Sequence, residues 1–221
     1  VFGVWMVFVL FVAVFGVVLN VPLVWGSGTI YIRADGSIDP PTAPIQRQGN
    51  IYTFSANISD SIVIERSNII IDGDGYTLQG SGSGNGFYLS GVNYVTVTNT
   101  NIRGFESGIQ TIDYPSSSSN NSIVGNNITG NVDGVVLHFG SNNNSISGNN
   151  ITWNNCGGIS FEYSSNNNVA GNNIENNGYG LYLWGARNNT IAGNNITGNV
   201  YNGIWLFNDL AEPPNNKIYH N

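Results

Sequence analysis

Charge is scarce in this chain: only 9% of its 221 residues are Asp, Glu, Lys or Arg, and the formal net charge is −7. Solubility therefore rests on Asn, Ser, Thr and Gly rather than on ion pairs. The basic residues, Arg33, Arg47, Arg66, Arg103, Arg187 and Lys217, are scattered along the sequence. Without a basic cluster to neutralise phosphates, nucleic-acid binding is disfavoured. The single cysteine, Cys156, excludes an intramolecular disulfide and a Cys-based metal cluster. Its expected place is that of a small residue tucked beside the Gly157-Gly158 corner. Other soft metal ligands are equally rare. The one methionine, Met6, lies in an apolar leader, and the two histidines, His138 and His220, stand far apart.

Repetition is what the chain has in abundance. The tetrapeptide Gly-Asn-Asn-Ile recurs at 125–128, 148–151, 171–174 and 193–196, so the steps between isoleucines are 23, 23 and 22 residues. A near-constant period of this length marks the turns of a solenoid. Ahead of each copy lie an Asn pair and an aliphatic residue, as in Asn120-Asn121-Ser122-Ile123, with a fifth such group at Asn215-Asn216-Lys217-Ile218. Behind each copy come a glycine and alternating residues: GVVLHF from Gly134, GISFEY from Gly158, GLYLW from Gly180 and GIWLF from Gly203. Three short apolar stretches separated by turn formers predict three strands per coil. A leucine-rich repeat is the competitor at this length, but Asn- and Gly-rich returns disfavour its helix. Asn tolerates the left-handed conformation that corners need, and stacked corners place Asn over Asn with shared amide hydrogen bonds. The expected fold is an all-β parallel β-helix of about 22 to 26 residues per coil.

The register extends backwards. Val97 and Ile102 match Ile123 and Ile128 at a step of 26, with Asp113–Ser119 as an inserted loop. Ile69-Ile70-Ile71, followed by Asp72-Gly73-Asp74-Gly75 and by Phe87-Tyr88-Leu89, forms the first regular coil. About six coils then make a rod on the order of 30 Å long. The inward positions are Ile123, Ile128, Val135 and Leu137; Ile146, Ile151, Ile159 and Phe161; Val169, Ile174, Leu181 and Leu183; and Ile191, Ile196, Ile204 and Leu206.

Three segments follow. Residues 1–28, an uncharged apolar run ending in Gly26-Ser27-Gly28, read as a signal peptide or as a membrane-anchoring hydrophobic helix, the small residues favouring the signal. Residues 29–66 are N-terminal strands and cap, and residues 67–221 are the coils. Either leader delivers the coils outside the cytoplasm, to the extracellular space or cell surface. A repeat broken at His220-Asn221 leaves a strand edge open, so further coils, a cap or a C-terminal membrane anchor are expected beyond it; otherwise self-association should bury that edge. Sequons at Asn57, Asn120, Asn127, Asn143, Asn150, Asn188 and Asn195 are what an Asn-rich repeat with Ser and Thr generates by chance, and glycosylation stays open.

The stretches TIYIRADGSIDPPTAPIQRQGNIYTF and SIVIERSNIIIDGDGYTLQG, followed by coils such as NNSIVGNNITGN, resemble archaeal surface proteins carrying the NosD-like right-handed β-helix domain. The resemblance covers about residues 29–221. It implies a right-handed, pectate-lyase-like superfold and, by the family name, periplasmic copper handling. Copper sites want clustered His, Met or Cys, which this sequence lacks. Related coils serve lyases, hydrolases, epimerases and noncatalytic surface proteins alike.

Any chemistry must sit on the outside of the stack. Third-strand residues fall into two outward columns: Gln110, Val136, Ser160, Tyr182 and Trp205, and beside them Ile112, His138, Glu162, Trp184 and Phe207. Tyr182, Trp184, Trp205 and Phe207 thus share one face and are candidate glycan-binding residues, since flat rings on a rigid sheet suit stacking against sugars. A fold-back of Asn208–Pro214, or a further segment, is the alternative partner for them. His138 and Glu162 on adjacent coils are candidate acid–base residues or a solvated surface pair. Asp209 and Glu212 would join them if the face were a catalytic cleft. Asp72 and Asp74 suggest calcium, but Asp-Gly turns explain them equally. No cofactor or metal is expected. The leading reading is a noncatalytic surface β-helix that binds or displays polysaccharide or cell-surface glycan. A polysaccharide-active lyase, hydrolase or epimerase is the alternative, with copper handling behind both.

Overall fold

The computed structural model describes residues 28–112, 118–208 and 214–221. The leader up to Ser27, the acids Asp209 and Glu212, and most of the two inserted loops lie outside those residues. Among the described residues every regular element is a strand, and no helix is long and apolar enough to cross a membrane.

Each coil supplies three strands, for example Ser122–Val124, Asn127–Thr129 and Asp133–His138. Like strands stack in parallel into a first, a second and a third sheet of nine, six and nine strands. The result is a parallel β-solenoid of about seven turns. The extra turn beyond the expected six is built from Ile51–Phe54 and Ile62–Ile64, which pair in parallel with Ile69–Asp72 and Asn85–Ser90. At that end both nine-stranded sheets finish with an antiparallel strand, Ile45–Gln48 on one and Ile38–Asp39 on the other. The Tyr52 hydroxyl and the Arg47 guanidinium both donate to the Gly36 carbonyl, tying the two strand ends together.

The register is the one the repeats dictate: Val97 stands opposite Ile123, Ile102 opposite Ile128, and Ile109 opposite Val135. The inward rows are fully buried from Ile123 to Ile191. In the last coil they open: Ile196 and Ile204 are only partly buried and Leu206 is 48% exposed, because among the described residues no coil lies over them. One inward position breaks the apolar pattern. Thr111 sits between Leu89 and Leu137 with its hydroxyl buried and unpartnered.

Asparagine holds the corners. Ahead of the first sheet, Asn121, Asn144, Asn167, Asn189 and Asn216 stack, each backbone N–H donating 2.8–2.9 Å to the side-chain oxygen of the next. A second ladder runs Asn126, Asn149, Asn172, Asn194 and Asn221. A third, Asn131, Asn154, Asn177 and Asn199, fills the corner before the third sheet. Each rung follows a residue with left-handed φ, such as Asn120, Gly125 or Gly130, which swings the next side chain inward. These amides satisfy buried backbone groups that a sharp corner would otherwise leave unpaired.

Candidate functional site

Third-sheet strands are six residues long in every coil from Asn85–Ser90 to Asn202–Phe207, so this sheet presents the widest outer face. Its pairing places Gln110, Val136, Ser160, Tyr182 and Trp205 in one column and Ile112, His138, Glu162, Trp184 and Phe207 in the next. Both columns are those expected from the alternation of the strands.

His138 and Glu162 meet: Nε2 lies 3.3 Å from Oε2, with side-chain exposures of 22% and 26%. They border an open groove of about 600 Å³ that runs along the stack. Its polar lining includes Glu106, Ser107, Gln110, Asp133, Cys156 and Ser160, and its far wall is Tyr179, Tyr182 and Trp205.

Asp133 was not anticipated, and a single extra residue explains it. Between adjacent coils the second strands step by 23, Ile128 to Ile151, whereas the third strands step by 24, Val135 to Ile159. The added residue bulges the chain at Asn155-Cys156-Gly157, as bulges beside functional sites commonly do. Cys156 N–H still reaches the Val132 carbonyl at 2.7 Å, but the Gly157 N–H turns to Asp133 Oδ1 at 2.8 Å. The Ser160 hydroxyl and the Cys156 thiol donate to the same carboxylate. Burial pushes the Asp133 carboxyl above its ordinary value, against those hydrogen bonds. Burial, then the Asp133 charge, raises the Cys156 thiol. Cys156 is therefore not a tucked packing residue: it is exposed and lines the groove. The mismatch of steps was the available signal in the sequence.

The aromatic residues form more than the expected cluster of four. Tyr201 and Tyr179 lie 5.0 Å apart, Tyr179 and Trp205 5.6 Å, and Tyr182 and Trp205 4.6 Å. The chain of rings continues through Phe207, Trp184 and Tyr163 to Phe139, with every step at 5.7–6.2 Å. It ends against His138 at 5.6 Å. Phe139 and Tyr163 hold left-handed φ where the next coil has Gly185. Bulky residues rarely adopt that conformation, and such strain concentrates at functional surfaces. Trp184 and Trp205 are partly exposed, and Phe207 is 45% exposed. The rings thus arc around the His138–Glu162 end of the groove.

Elsewhere, Asp72 Oδ1 accepts the Asp74 N–H at 2.9 Å and the Asn99 amide at 3.3 Å, which is turn chemistry. Among the described residues no three His, Cys, Asp or Glu side chains converge as metal ligands would.

The family described as periplasmic copper-binding protein (NosD) matches residues 55–221, most of the chain. No curated protein and no solved structure matches it. Copper binding asks for converging His, Met or Cys donors. Here His138 faces Glu162, Cys156 faces Asp133, and His220 lies beside Tyr219 at the far end of the first sheet. The described side chains do not fit a copper site.

Proposed function

The chain belongs to the NosD family, and from that premise we propose that it is an envelope or cell-surface β-helix whose third-sheet outer face binds a glycan. One observation carries this reading: the ring arc is continuous with a groove of hydrogen-bonding groups on a rigid sheet. Sugar rings offer CH faces to aromatic planes and hydroxyls to carboxylates, and the face supplies both in one place. The family's periplasmic description agrees with a location outside the cytoplasm.

Affinity electrophoresis in polysaccharide gels and glycan arrays test it. Trp205→Ala should weaken retention roughly tenfold or more, while Asn150→Ala on the second sheet should leave it unchanged. Absence of binding to every polysaccharide would remove the proposal. A second reading, turnover of a polysaccharide, draws on the gathering of Asp133, His138 and Glu162 in the same groove. Reducing-sugar release abolished by Glu162→Gln would support it, and turnover untouched by that change would reject these roles.

A further inference from the structure

We infer that the groove selects a glycan carrying protonated amino groups, a chain of deacetylated amino sugars, over uronate or N-acetylated chains. The inference rests on the glycan reading above and names its ligand class. Among the described residues three carboxylates line the groove, Glu106, Asp133 and Glu162, and neither Lys nor Arg does. The guanidinium at the start of this sheet, Arg33, follows the strand Ile30–Ile32, four strands from Asp133–His138, roughly 19 Å away. It is also paired with Asp39 and Glu65. The groove's one basic side chain, His138, is engaged by Glu162 at 3.3 Å, so a uronate would displace that contact to find a counter-charge, and like charges brought together disfavour binding.

The aromatic wall has the same preference. The faces of Tyr182 and Trp205 carry negative quadrupole charge that attracts cations. Rings and carboxylates, two different kinds of group, thus favour one sign of ligand. Glu106 and Asp133 stand on adjacent coils, joined where the Asp133 N–H donates to the Glu106 carbonyl at 2.8 Å, and Glu162 lies on the coil after Asp133. Asp133 stands opposite Ser107 at the entry of the strand and Glu162 opposite His138 at its end, so a chain crossing the groove meets a carboxylate on either side. Burial already disfavours the ionised form of Asp133. An ammonium group arriving beside it offsets that penalty, which is a gain a neutral sugar cannot supply.

Calorimetric titration with equal-length oligomers of glucosamine, N-acetylglucosamine and galacturonate, at mildly acidic pH and low salt, tests this. The amine oligomer should bind roughly tenfold tighter than the acetylated one, and the uronate most weakly. Asp133→Asn, which keeps an oxygen for the Gly157 N–H, and Glu162→Gln should each weaken the amine oligomer several-fold more than the acetylated one. Glu175→Gln on the second sheet controls for general attraction to an acidic protein and should change nothing. Equal or stronger binding of the acetylated or uronate oligomer overturns the inference while the glycan reading stands. An amine preference that survives both groove variants, or is lost in Glu175→Gln, overturns it too. If no oligomer binds, the glycan reading falls and the inference with it.

Discussion

The second and third sheets come from the same coils, yet their outer faces have opposite character. On the second, Asn101, Asn127, Asn150, Asn173 and Asn195 stand in one column. From Asn127 on, each amide donates to the side-chain oxygen of the residue before it, at 2.6–3.2 Å. Glu175 is drawn into the same network: hydrogen bonds from Thr197, Asn173 and Asn195 hold its carboxyl below the ordinary value. On the third sheet the column Gln110, Val136, Ser160, Tyr182, Trp205 has no two residues alike, and burial pushes Asp133 the other way. A face that repeats turns its polar groups on each other. A face that varies cannot build a ladder, so its polar groups meet in single contacts such as His138 with Glu162 and Asp133 with Gly157 and Ser160.

The largest expected effect comes from removing what both faces stand on. Asn149 accepts from the Asn126 N–H and donates to the Ile123 and Ser147 carbonyls and to Asn172. Asn149→Ala leaves buried groups on two coils unpaired and should cost about 3–5 kcal/mol in chemical denaturation. A loss below about 1 kcal/mol would mean that the ladders are ornament to the apolar stack.

Next is the spacing that keeps the two faces in register. A Cβ on Gly134 would run into the Gly158 carbonyl oxygen and come within 2.9 Å of Ile151 and 3.1 Å of Asn154. Gly134→Ala should therefore destabilise by about 2–4 kcal/mol, and because the groove lies across this coil, glycan binding should weaken along with the melting temperature. Retained binding at full stability would show that the coils can part without disturbing the third face.

The smallest effect is a slope. Asp133 holds a proton more readily folded than unfolded, so its contribution favours the folded chain at low pH. That contribution is lost as pH rises from the ordinary value of 3.8 through the raised one. Across about pH 3 to 7, the unfolding free energy of Asp133→Asn should gain on that of the wild type and then level off. The reverse slope would show that the hydrogen bonds from Gly157, Ser160 and Cys156 outweigh burial, and the contrast with Glu175 would vanish.

Much of this was legible in the residues. The pairing of His138 with Glu162, and of Tyr182 with Trp205, follows from counting along the repeats, because period-two strands in register leave no freedom in which side chains neighbour which. Asp133, Cys156 and Tyr179 were harder to find. They lie at the entry to the third strand, where coil length varies by one residue and counting by period loses the position. The extension of the rings through Tyr163 and Phe139 was also missed, since both stand in left-handed turns outside the alternating strand.

The sequence by itself determined the coil: its period, its three strands, the inward rows from Ile123 to Ile191 and the stacking of Asn on Asn. Those follow from contacts between residues 22 to 26 apart that repeat, so each copy confirms the next. Only the tertiary structure decided where the groove opens and which carboxylate is desolvated. Those depend on one bulged residue and on how unlike side chains from three or four coils settle against each other. No repeated pattern encodes such an arrangement, because each of its contacts occurs once.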